Sequence, residues 1–67
     1  MRWSYYFIGG KIRKVAVVHA GEISSSHDFD RFIDEARDKL GWPLKVEYRE
    51  GEVWAYRADE DEKEGSS

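Results

Sequence analysis

A chain of 67 residues with a formal net charge of −3 and no cysteine excludes two domains, a disulfide framework and a thiolate metal site; packing, with or without self-association, must hold it together. A domain this small buries only about 60% of its unfolded surface, so every large apolar residue is needed. The longest purely apolar run, residues 15–18, falls far short of the roughly 20 that span a bilayer, and no basic region followed by an apolar stretch opens the chain; the expectation is a soluble, unprocessed, cytoplasmic protein with no membrane association.

In chain order, residues 3–8 are dense in aromatic and β-branched side chains, Gly9 and Gly10 follow, and Val15, Ala16, Val17 and Val18 lie in the next apolar stretch. Two glycines accept the positive φ angles of a tight hairpin turn without a Cβ clash, so the segment reads as a β-hairpin. Next comes one amphipathic helix. Phe29, Phe32, Ile33, Ala36 and Leu40 fall within an arc of about 100° at 3.6 residues per turn. Asp30, Arg31, Asp34, Glu35, Arg37 and Asp38 occupy the rest of the wheel. Ser25 or Ser26 caps the first amides, Asp28 and Asp30 suit the positive end of the dipole, and Gly41 then Pro43 stop the helix.

Leu44, Val46 and Tyr48 alternate with Lys45, Glu47 and Arg49, a turn falls near Glu50 and Gly51, and residues 53–56 return as a second hairpin. A two-residue loop pairs Val46 with Ala55. A three-residue bulged loop that includes Arg49 sets Val46 opposite Trp54; it is preferred because it gathers the large apolar groups on one face. Residues 59–67 hold five acids against one base and no apolar anchor, and are expected to form an acidic disordered tail. The fold class is therefore α+β, ββαββ: residues 1–58 form a four-stranded, mainly antiparallel sheet with one helix packed on one face. Three Trp, four Tyr and three Phe exceed what one helix covers, so some aromatics belong on the open face or at an interface.

The layout resembles the β-grasp family, which implies a sheet whose first and last strands run parallel at its centre. Within that family, Phe7-Ile8-Gly9-Gly10-Lys11-Ile12-Arg13 resembles the glycine turn and basic second strand of PB1-type interaction domains, and Tyr48-Arg49-Glu50-Gly51-Glu52 a shortened acidic loop. The resemblance implies pairing of a basic face on one copy with an acidic face on another. The chain departs from it in having no lysine before Lys11 and no run of aspartates. Charge is nevertheless polarised: residues 1–20 hold Arg2, Lys11, Arg13 and Lys14 with no acid, whereas residues 22–40 hold six acids against three bases. Solvated faces account for such a split more simply than partner steering does.

No residue constellation points to catalysis, and the chain is read as a non-enzyme without cofactor or metal. His27 with Asp28, Asp30 and Asp34 offers weak ligands at a helix start, where a capping cluster is the simpler reading. Ser24, Ser25, Ser26, His27 and Asp28 contain the residue types of a hydrolase triad, but sequence neighbours do not readily adopt its geometry. His19 closes an apolar strand as a half-buried histidine, and Gly9-Gly10-Lys11 leads into a strand, not into the helix a phosphate loop requires. The expected function is protein–protein interaction through the helix-free sheet face or a strand edge, with Trp3, Tyr5, Tyr6, Lys11, Arg13, Lys14, Trp54 and Tyr56 as candidate contacts. Self-association is compatible with it. Two alternatives are an acidic viral or mobile-element inhibitor occupying a host nucleic-acid-binding protein, and single-stranded nucleic-acid binding through sheet aromatics, which four clustered bases support weakly.

Overall fold

A computed structural model describes residues 1–58; the tail expected at residues 59–67 lies outside the described residues. The chain runs β1 (Arg2–Ile8), β2 (Lys11–His19), a short 3-10 turn (Ala20–Glu22), α1 (Ser26–Leu40), β3 (Leu44–Arg49) and β4 (Glu52–Arg57). The strands form a single four-stranded sheet in the order β1-β2-β4-β3, each neighbouring pair antiparallel.

Gly9 and Gly10, at φ 63° and 90°, make the first turn, so Ile8 closes on Lys11 and the ladder extends without a bulge to Arg2 opposite Val17. Glu50 and Gly51, at φ 47° and 83°, make an equivalent two-residue turn. Positive φ at both central residues matches the right-handed twist of the flanking strands. This corrects the preferred register of the second hairpin: Val46 faces Ala55, and Glu47 faces Trp54. Large apolar groups are consequently divided between the two faces. Ala55, not Trp54, lies beneath the helix, where a small residue leaves room for Phe32 and Ala36 to reach the sheet.

β2 sits at the centre because it is apolar on both sides. Val15, Ala16, Val17 and Val18 are all buried, as expected of a strand covered on two faces and not of one with a solvated face. Ala16 and Val18 join Phe32, Ala36 and Ala55 under the helix, with Trp3, Ile23, Ile33, Leu44 and Val53 around them. Val15 and Val17 join Tyr56 on the opposite face, with Tyr6, Ile8 and Trp54. The arrangement implied by the β-grasp resemblance is not formed: β1 lies at an edge, and the central pair, β2 and β4, is antiparallel.

Ser25 caps α1, its Oγ accepting from the Asp28 N–H at 3.2 Å. The Asp28 carboxylate accepts in turn from the Ser24 N–H at 3.1 Å and the Ser24 hydroxyl at 3.0 Å. These bonds, the backbone one foremost, hold the Asp28 carboxyl below its usual range. Gly41, at φ 89°, ends the helix and donates its N–H to the Arg37 carbonyl. Phe32 and Ala36 are buried as the apolar arc requires, whereas Phe29 remains 38% exposed. The helix lies chiefly over β4 and β3, with Trp3 of β1 packed against the same core and Tyr5 and Phe7 farther along β1 exposed.

Candidate functional site

Strand parity separates the candidate residues. Counting from Val15 opposite Tyr56 and Ser4 opposite Val15, the helix-free face carries Tyr6, Lys11, Arg13, Trp54 and Tyr56, as expected. Trp3, Tyr5 and Lys14 point to the helix-bearing face. Trp3 packs against the core there, and the Lys14 ammonium lies 5.3 Å from its ring centroid.

The helix-free face is a layer of mutually engaged side chains. Tyr6 and Trp54 stack with centroids 4.2 Å apart, and the Arg49 guanidinium sits 4.7 Å from the Trp54 ring. Arg49 also donates to Glu47 at 2.7 and 2.9 Å, while Glu47 accepts from the Tyr56 hydroxyl at 2.6 Å. Glu52 accepts from the Trp54 indole at 3.2 Å and from Arg2 at 3.3 Å. Arg13, buried although charged, donates to the Ile8 and Arg57 carbonyls at 2.8 and 3.0 Å and lies over the Tyr56 ring. Among the described residues no buried side-chain polar atom lacks a partner.

The electrostatics follow from these bonds. Tyr56, only 2% exposed, has its phenol pushed up to about 12 by burial first and by the Glu47 carboxylate second. Hydrogen bonds from Tyr56 and then Arg49 hold Glu47 below its usual value, and the Trp54 indole does the same for Glu52. Tyr6, Trp54 and Tyr56 are therefore spent on a second core, while Tyr5, Phe7, Trp42 and Tyr48 stay exposed by more than half.

Free aromatic surface lies on the other side. Tyr5, Phe7 and Ile12 are 68%, 71% and 64% exposed. Phe7 and Ile12 are direct cross-strand partners and Tyr5 is two residues along on the same face, so the three are neighbours. They are uncovered because the β1–β2 hairpin outruns the sheet: the β2–β4 ladder begins at Val15, and β2 before it borders β1 alone. Beside this patch, Trp3 with Asp34, Glu35, Asp38 and Lys39 lines a shallow groove of about 280 Å³. Phe7 and Ile12 were missed as candidates, although the parity set by Gly9-Gly10 already puts Trp3, Tyr5, Phe7 and Ile12 on a common face.

No group of three or more His, Cys, Asp or Glu able to hold a metal occurs among the described residues, and no helix there is long and apolar enough to cross a membrane. In the cluster of serines with His27, the hydroxyls of Ser24 and Ser25 bond within the helix cap. Comparison with known proteins yields no matching family model, no matching curated protein and no matching solved structure.

Proposed function

We propose that the domain is a non-catalytic protein-interaction module that receives an extended strand of a partner along the edge of β1. The observation that carries this reading is the exposed cluster of Tyr5, Phe7 and Ile12 beside an unpaired strand edge. Main-chain hydrogen bonds to an edge supply affinity, and pockets for alternate side chains supply selectivity. The exposed aromatics stand on one side of that edge, where an added strand would cover them.

Single-stranded nucleic-acid binding draws support only from Arg2, Lys11, Arg13, Lys45 and Arg49 on the helix-free face. The rings there are stacked on one another or buried, which removes the free π-faces that bases need. The inhibitor reading rests on the tail, outside the described residues.

The test is retention of a binding partner by the wild-type chain, by Tyr5→Lys and by Lys45→Glu, which alters the helix-free face. Retention lost in Tyr5→Lys and kept in Lys45→Glu supports the edge reading. The reverse pattern would move the site to the helix-free face.

A further inference from the structure

We propose that the strand received by β1 is β1 of a second copy, the two running antiparallel about a two-fold axis that passes beside Tyr5. This rests on the interaction reading above and names its partner. In a two-residue hairpin the closing residues exchange both of their backbone hydrogen bonds, and such pairs then alternate along the ladder. Ile8 and Lys11 close the first hairpin, so Arg2, Ser4, Tyr6 and Ile8 turn their backbone groups toward β2. Trp3, Tyr5 and Phe7 turn theirs outward, to the free edge.

An axis at Tyr5 uses all three. Tyr5 then faces Tyr5 of the second copy, and Trp3 faces its Phe7 twice over by symmetry, giving about six inter-strand hydrogen bonds, two per pair. An axis at Phe7 would set Tyr5 against Gly9 and lose the aromatic pairs. The two-fold is perpendicular to the sheet, so both helices lie on one side. Across the seam, Ala16 and Trp3 of one copy are followed in a row by Phe7 and Ile12 of the other. The exposed Phe7 thereby gains a cross-strand neighbour on its open side, while Ile12 keeps Phe7 of its own copy beside it.

Charge and edge protection select β1 over the other edge. β1 carries a single charge, Arg2 at its end, so no like charges meet at the seam. β3 also exposes Val46 and Tyr48, but it carries Lys45, Glu47 and Arg49 and follows Pro43, features by which sheets blunt an edge. Tyr5 and Phe7 of the two copies, each exposed by more than half, together offer on the order of 500 Å². That is about a third of a standard-sized specific interface, so the dimer is a reversible one, populated at high protein concentration.

Sedimentation velocity on the full chain from about 10 µM to 1 mM tests this, with circular dichroism to verify folding. The expected result is a reversible doubling of mass that Tyr5→Lys weakens at least tenfold without loss of secondary structure; Phe7→Lys serves as a second variant. Register is tested by oxidation, since the chain has no native cysteine. Tyr5→Cys places two thiol-bearing residues about 5.5 Å apart at Cα and forms a disulfide dimer. Phe7→Cys places them roughly 14 Å apart and does not. A monomer at 1 mM, a dimer indifferent to both lysine variants, or a series of ever larger species built by β1 against β3 overturns the proposal. If the wild type stays monomeric while Tyr5→Lys still releases a different partner, homotypic pairing fails and the interaction reading stands; if neither effect is seen, both fail.

Discussion

Replacing Tyr56 by phenylalanine removes one hydroxyl and leaves the ring between Val15 and Arg13 in place. At neutral pH the variant loses a 2.6 Å hydrogen bond to the Glu47 carboxylate; bonds to charged groups contribute about 1.5 kcal/mol at the lower end of their range, suited to a site open on one side. The wild type carries in addition a pH-dependent contribution of defined sign. Its phenol titrates at about 12 in the folded chain against the usual 10.0. Between those values the unfolded chain releases the proton and the folded chain holds it, so stability is fully present below pH 10 and declines as pH rises through 12. At pH 11 the loss amounts to about 1.4 kcal/mol. Urea unfolding of both chains at pH 8 and pH 11, followed by tryptophan fluorescence, measures the difference; the remaining tyrosines and lysines are common to both chains and cancel. The expected gap is about 1.5 kcal/mol at pH 8, closing to nearly nothing at pH 11. A gap that stays constant would refute the assignment of Tyr56 as a phenol kept neutral by burial and by Glu47.

Two further substitutions probe the frame that holds the surface. Phe32→Ala, at a position 5% exposed beneath the helix, is expected to cost about 3 kcal/mol and to lower the melting temperature by roughly 15 °C in a thermal scan; a cost below about 1 kcal/mol would mean that the helix does not seal this face. Glu50→Asn changes the one non-glycine residue with positive φ among those described, at 47°, and should stabilise the chain by about 0.5 kcal/mol in chemical denaturation, because asparagine tolerates the left-handed region better. Equal or lower stability would show that the turn carries no such strain.

Local chemistry made much of the architecture legible. Gly9-Gly10 required a turn, Ser25 or Ser26 and Gly41 marked the helix ends, with the structure deciding for Ser25, and the spacing of Phe32 and Ala36 defined its buried stripe. The candidate site was legible only in part. Tyr6, Arg13, Trp54 and Tyr56 share the helix-free face as expected, yet they bond one another instead of standing free. Trp3 and Tyr5, expected on that face, lie on the other, because successive residues of a strand face opposite sides. The second hairpin departs from the expected register because both faces of the sheet are apolar, so gathering the large apolar groups on one face does not fix it.

The sequence by itself determined the elements, their order and their ends, because these depend on φ preferences, caps and periodicity within a few residues. Strand order, the register of the second hairpin, and which aromatics enter a second core (Tyr6, Trp54, Tyr56) and which stay exposed on β1 (Tyr5, Phe7) were decided only by tertiary structure. They depend on which distant segments meet, above all residues 15–19 of β2 against residues 52–56 of β4. When both sides of a strand are apolar, period two no longer says which side the helix covers. In this chain the helix settles chiefly over β4 and β3, and Tyr5, Phe7 and Ile12 beside the open edge of β1 are among the apolar side chains it leaves exposed.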